Sequence, residues 1–385
     1  MEIVLASNFD ERLVAETQAL PVSTFFGNYP TSLTGGGRPP RILPKVTERA
    51  FAGHVADVHA AGRRFYATLN SIDLGLKEYR PRFREEFLGE VDHLLDVGVD
   101  GFVLALPVLI ELVHREHPGV PITVSTFARV RTVTQAEYFA RLGADTVVLE
   151  EANRDFALVR ALVRLGLRVE VLVNQTCLKD CPYRAHHLNT SSIAAQTGSE
   201  CPVFEYPILE CGSEMVRDPS RIISGIFVRP EDLPVYEEAG VTRFKVSGRN
   251  RSTAWLARAA RAYAERRYDG NLLDILSFVQ VKGPTSALRQ LGAGDGVSPV
   301  LDRLYAAFEG ASDLRIENSA FPPGFLRRIA ATDCVHTTCA QCGYCPGVAR
   351  RVLSTGGRPL DPRSAAVDLP SPVEALGRIG LEPSD

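Results

Sequence analysis

Short runs of apolar, β-branched residues recur along most of the chain, and stretches of helical periodicity separate them. The runs predict strands over Glu2–Leu5, Val22–Phe26, Arg64–Leu69, Gly101–Leu106, Ile122–Ser125, Thr146–Leu149, Arg168–Val173 and Arg243–Ser247. The amphipathic stretches Phe51–Ala61, Arg84–Val97, Val108–His114, Ala136–Leu142 and Phe156–Leu165 predict helices. Gly62, Gly98, Gly143, Gly166 and Gly240 stand where helices would stop. Strand–helix alternation reads as a parallel α/β architecture, and eight strands point to a TIM-type (β/α)8 barrel over residues 1–270. An open, doubly wound sheet is the competing arrangement.

Two segments break the regular pattern. Phe26–Pro44 holds Gly35-Gly36-Gly37 and four prolines without GxGxxG or a Walker lysine, so it reads as a long loop rather than a phosphate cradle. An insert over about 174–242 separates the seventh strand from the eighth, and loops of that length inside a compact fold are usually functional. Arg229-Pro230-Glu231-Asp232 within it reads as a helix start, with proline and acids in the first turn. Thr253–Arg267 would close the barrel, residues 271–352 would form a C-terminal cysteine region, and the Pro-, Ser- and Gly-rich stretch 353–385 is expected to be a flexible tail.

The 385 residues carry 43 basic and 46 acidic side chains, a net charge of −3, which is not the footprint of a nonspecific nucleic-acid binder. No apolar run approaches a membrane span, and no secretory leader is visible, so a cytoplasmic location is expected. In a reducing compartment the eight cysteines point to metal rather than to disulfides. Cys334, Cys339, Cys342 and Cys345 have the spacing C-x4-C-x2-C-x2-C and are followed by Pro346, a pattern that suits an iron–sulfur cluster. Zinc is the competitor, although its knuckles usually pair two CxxC units across a longer gap. Cys177, Cys181, Cys201 and Cys211 have a less diagnostic spacing. Cys177, however, follows the seventh strand at what would be the catalytic face of a barrel. One or two 4Fe–4S clusters are therefore expected. Arg184, His186 and His187, just beyond Cys181, are candidates for anion binding or proton transfer. Lys245 and Arg249, at and past the end of the eighth strand, are candidates for binding a carboxylate, with ion pairing to Glu150 or Glu151 as the structural alternative. Asn70 and Ser125 end their strands at the same face.

The stretch Val171-Leu-Val-Asn174-Gln-Thr-Cys177 with Cys181-Pro-Tyr-Arg184 and His187 resembles the centre of peptidase family U-32, whose name comes from collagenase-like members. So do Phe227-Val-Arg229-Pro230-Glu231-Asp232, Phe244-Lys245-Val-Ser247-Gly248-Arg249, and the upstream Val124-Ser125-Thr126-Phe127 with Asn153-Arg154. The resemblance covers roughly residues 1–275, and Cys334–Cys345 is similar to an accessory cysteine tail in some branches. It implies a 4Fe–4S cluster on a barrel, held by Cys177, Cys181, Cys201 and Cys211. It also implies oxygen-independent hydroxylation, of the kind that relatives perform on ubiquinone precursors, tRNA or ribosomal RNA, in some cases with prephenate as the oxygen donor. In the common pattern the first two cysteines stand farther apart and the fourth lies farther on.

The function this resemblance implies, with the near-neutral charge leaning toward a small substrate, is hydroxylation of a small, possibly biosynthetic, molecule, with an electron donor or a second family member as protein partner. RNA-base hydroxylation, a non-catalytic iron–sulfur electron-transfer role and peptidase activity are the alternatives. No GxSxG or HExxH accompanies the last of these.

Overall fold

The β-branched runs are buried along nearly their whole length, which requires cover on both faces and favours a closed sheet over a half-solvated one. The computed structural model describes residues 1–196, 206–277, 306, 313–360 and 371–373. In it β1 (Glu2–Ala6), β2 (Val22–Gly27), β3 (Arg64–Leu69), β4 (Gly101–Leu104), β5 (Ile122–Val124), β6 (Thr146–Leu149), β7 (Arg168–Leu172) and β8 (Arg243–Val246) form a closed barrel in sequence order. Every pairing is parallel, and β1 closes the ring against β8 with Ile3 opposite Phe244. The fold is a TIM-type (β/α)8 barrel, so the ends of the strands at one rim collect the site.

The outer helices begin at local signals. Thr47, Thr132, Asp155 and Ser252 cap α2 (Glu48–Ala60), α5 (Val133–Arg141), α6 (Phe156–Arg164) and α11 (Thr253–Glu265) by accepting from backbone N–H groups. Pro81 and Pro107 open α3 (Pro81–Asp96) and α4 (Pro107–Glu116), where a missing N–H costs nothing. The five predicted stop glycines all adopt positive φ, from 70° at Gly62 to 104° at Gly143.

Inside the barrel the polar groups pair with one another. Lys245 Nζ donates to Glu170 Oε1 at 2.8 Å and lies 3.9 Å from the centre of the Phe26 ring, while Arg243 approaches Glu170 at 3.5 Å. Outside the barrel, under the helix layer, His54 on α2 shares a 2.7 Å hydrogen bond with Ser7 Oγ, and the rings of Phe9, Phe25 and Phe65 surround it. Burial, opposed only by Asp57, lowers its pKa to about 4. Unfolded histidine titrates near 6.5, so this contribution is intact above that pH and is lost as pH falls from 6.5 toward 4, by about 3 kcal/mol. The thermal midpoint of the wild type should drop by several degrees between pH 7.5 and pH 5. His54→Phe should remove the part of the drop due to this ring, and equal acid sensitivity in both proteins would refute the assignment.

The insert after β7 folds into α7 (Arg184–Ala195), α8 (Tyr206–Arg217), α9 (Ser220–Ser224) and α10 (Leu233–Glu238). Its return is stitched to the barrel: Val228 N donates to Val173 O at 2.8 Å, and Tyr263 Oη donates to Val228 O at 2.9 Å. Arg229 pairs with Asp232 in the buried helix start and stacks on Phe321, so this motif is structural, as expected. The C-terminal region adds a small antiparallel sheet of β9 (Arg315–Ile316), β10 (Leu353–Thr355) and β11 (Arg358–Pro359). A helix over Tyr344–Val352 packs on α9. Strand pairing at Leu353–Pro359, with Leu353 fully buried, corrects the expected start of a flexible tail at 353. Most of 361–385 lies outside the described residues.

Candidate active site at the barrel mouth

Side chains that end the strands close the rim by hydrogen bonding to one another. Asn70 Nδ2 donates to Ser125 Oγ at 2.7 Å, and Asn174 accepts from Ser247 N at 2.8 Å. Arg249 reaches inward from beyond β8 and donates to Asn28, to Gly36 O at 2.8 Å and to Thr68 Oγ1 at 3.0 Å. None of these partners is charged. Burial, and then the neighbouring Arg38, push its pKa down to about 9. Arg249 lines one end of a cavity of about 370 Å³ whose wall includes Ser7, Phe9, Tyr29, Pro40 and Ala195.

Arg38 arrives on the glycine loop. A Cβ at Gly36 would lie 1.9 Å from Asn28, and one at Gly35 would lie 2.3 Å from Ala195 O, so glycine alone allows this approach. Arg38 is half-buried, and no carboxylate partner for it exists among the described residues. Burial lowers its pKa, offset by the nearby Cys177 and Glu150. Sequence reasoning missed Arg38. The three glycines just before it were the available signal.

Beyond β7 the chain passes Cys177, turns at Asp180 (φ 47°) and reaches Cys181 and then α7. Arg131 holds Asp180 at 2.6 Å, which fixes this tight turn in the left-handed region that aspartate tolerates. Arg184, first in α7, forms a buried ion pair with Glu150 at the end of β6 and donates to Cys177 Sγ at 3.6 Å. Burial opposes its charge, but Glu150 and Cys177 outweigh that and raise its pKa. Cys211 on α8 is buried close enough to Cys177 and Cys181 for their charges to add to the burial that raises its pKa. Burial pushes the Cys177 thiol up to about 12, partly relieved by Arg184. Three free thiols, Cys211 buried and Cys177 and Cys181 half-buried, thus lie near one another at the mouth, with a cation against one of them. Soft sulfur ligands that need a positive partner to ionise fit an iron–sulfur group. Cys201 lies outside the described residues.

The remaining candidates separate. His187 is half-buried, and burial followed by Arg184 and Arg38 lowers its pKa to about 3, whereas His186 is exposed. Lys245 is corrected: it lies inside the barrel on Glu170, with no free ammonium at the rim. Neither Glu150 nor Glu151 is its partner, since Arg184 takes the first and Arg129 the second at 2.7 Å. Cys334, Cys339, Cys342 and Cys345 gather in the C-terminal region and are also free thiols. Among the described residues, no three or more His, Cys, Asp or Glu side chains converge on a single metal-ion position. No described helix is long and apolar enough to cross a membrane.

The sequence model of Peptidase family U32 matches residues 41–176, from the glycine loop through β7, and ends one residue before Cys177. An uncharacterized protease of Methanocaldococcus jannaschii is 29% identical over 245 residues, 63% of this chain and 72% of that protein. Over these residues the chain is similar to peptidase family U32. A second relative, tRNA hydroxylation protein P of Helicobacter pylori, is 27% identical over 134 residues, 34% of this chain and 30% of that protein. The solved U32 peptidase Mk0906 superposes with a TM-score of 0.49 at 21% identity, covering 64% of this chain and 92% of its own. The U32 match stops where the thiol-bearing insert begins, so the insert's chemistry has to be argued from its own residues.

Proposed function

We propose that this protein, which is similar to peptidase family U32, is an iron–sulfur enzyme of oxygen-independent hydroxylation that acts on a small molecule and uses a carboxylate-bearing oxygen donor such as prephenate. The observation that carries the reading is the juxtaposition of three thiols with two arginines, Arg38 and Arg249, that have no carboxylate partner at the barrel mouth. Cys177, Cys181 and Cys211 would hold the cluster, with Cys201 as the fourth ligand implied by family resemblance. A cluster held by these thiols would supply one-electron redox chemistry and Lewis acidity. Arg38 and Arg249 bind and orient the donor's carboxylate. Arg184 holds the Cys177 sulfur in place and balances its charge. His187, kept neutral by burial and the neighbouring arginines, offers a ring nitrogen for a hydrogen bond. An electron donor or a second family member would serve as partner.

The relative named for tRNA hydroxylation favours a second reading, the same chemistry on an RNA base. The near-neutral charge weighs toward the small molecule. Proteolysis, which the archaeal relative's name would carry, has weak support here. Cys177 is held protonated by burial, whereas nucleophilic cysteines have depressed pKa values. The deciding experiment incubates anaerobically purified protein with oxygen-labelled prephenate and with small-molecule or RNA acceptors. Label in a small-molecule product is expected, label in RNA alone would establish the second reading, and label in neither would overturn hydroxylation.

A further inference from the structure

Four thiols at the C-terminus have no part in the mouth. Cys334 follows the helix Phe325–Ala330, and Cys339 and Cys342 lie one turn apart on a helix of only four residues. Thr338 and Gln341 close a capping box at the start of that helix, and Gly343, at φ 67°, ends it. The chain then reverses into Tyr344–Val352, whose first turn carries Cys345. The reversal is anchored from below. Tyr344 stacks on Phe325 with ring centres 6.0 Å apart, and Val348, Ala349 and Val352 are buried. All four thiols therefore sit on a fixed scaffold within twelve residues, with Cys339 and Cys342 exposed. Exposed free thiols oxidise readily, and among the described residues Cys339 and Cys342 stay exposed.

Two cations lie between this group and the mouth. Lys179, midway between Cys177 and Cys181, donates to the carbonyl of Cys334 at 2.7 Å and pairs with Asp180 at 2.6 Å. Arg154, at the end of the β6 rim, stacks over Phe325 at 5.8 Å and interacts with the charges of Cys334 and Cys345. Its side chain is held by the carbonyls of Ile223 and Phe227 at 3.2 and 2.6 Å. A lysine bonded to the backbone of one cysteine group from inside the loop of the other is what two neighbouring anionic centres require.

We propose that Cys334, Cys339, Cys342 and Cys345 bind a second iron–sulfur cluster, distinct from the one at the mouth, and that Lys179 couples the two sites electrostatically. The site stands on its own thiols and does not depend on the hydroxylase reading, so either can fail alone. The test is anaerobic purification of the full chain with iron, sulfide and zinc quantified. About eight irons per chain are expected in the wild type, falling to about four in Cys342→Ser and, separately, to about four in Cys177→Ser. Cys342 is exposed, so its substitution leaves the core intact, and unchanged circular dichroism checks that. Full iron content in Cys342→Ser, or zinc without sulfide lost from it, would overturn the second cluster. Lys179→Met should keep the iron and shift the midpoint potentials of both clusters downward, because the reduced clusters carry the extra negative charge that the lysine stabilises. Potentials unmoved in that variant would overturn the coupling.

Discussion

Arg184→Met should destabilise the folded chain by about 3–5 kcal/mol, the cost of leaving one partner of a buried ion pair without the other. Glu150 and Arg184 are only 4% and 8% exposed at their side chains, so water cannot replace the missing cation. Cys177 also donates to Glu150, at 3.8 Å, and would lose the guanidinium that favours its ionised form. Iron content should therefore fall together with stability. The double variant Arg184→Met/Glu150→Gln should recover most of the stability, because no uncompensated charge remains, while the thiol stays without its cation. Denaturant unfolding under anaerobic conditions measures the first effect and iron analysis the second. The exposed pair Arg82–Glu86, at 2.8 Å with side chains 88% and 46% exposed, gives the contrast. Arg82→Ala should cost under about 1 kcal/mol. Equal losses in the two single variants would show that the Arg184–Glu150 pair is not the anchor of the mouth.

The barrel was legible in the sequence because both of its signals are local. Each strand is a short apolar run that must be covered on both sides, and most of the outer helices carry a local start signal, a stop glycine or both. All eight strands and the closing helix stand within a few residues of their expected positions. Cysteine grouping was equally legible, since C-x4-C-x2-C-x2-C is read along the chain. What joins distant segments was not. Arg184 finds Glu150 from 34 residues away, and Lys179 finds the Cys334 carbonyl from 155 residues away. Lys245 shows the limit most clearly. Its place near the end of the last strand suggested the rim, but strand alternation turns its side chain into the barrel, where Glu170 of the neighbouring strand waits. Arg38 was hidden for the opposite reason: nothing in a loop's own sequence says which strand ends it will cross.

The same geometry separates ligand binding from structure. Arg249→Met removes a half-buried cation that only neutral oxygens hold, so it leaves no opposite charge stranded and should change stability little. Its loss should weaken binding of an anionic ligand such as prephenate by about tenfold to a hundredfold, the value of one hydrogen bond to a charged group at about 1.5–3 kcal/mol. Arg38→Met should act in the same direction, and the two effects should fall short of additivity because each arginine disfavours the other's charge. Lys245→Met should do the reverse. It strips Glu170, 1% exposed, of its 2.8 Å partner and leaves only Arg243 at 3.5 Å, which lowers stability without altering affinity. Titration calorimetry with prephenate, beside thermal melts of the three variants, reads both quantities. If Arg249→Met bound the anion as tightly as the wild type while Lys245→Met lost it, the carboxylate would have to sit inside the barrel rather than at its mouth. The assignment of Arg38 and Arg249 would then be wrong.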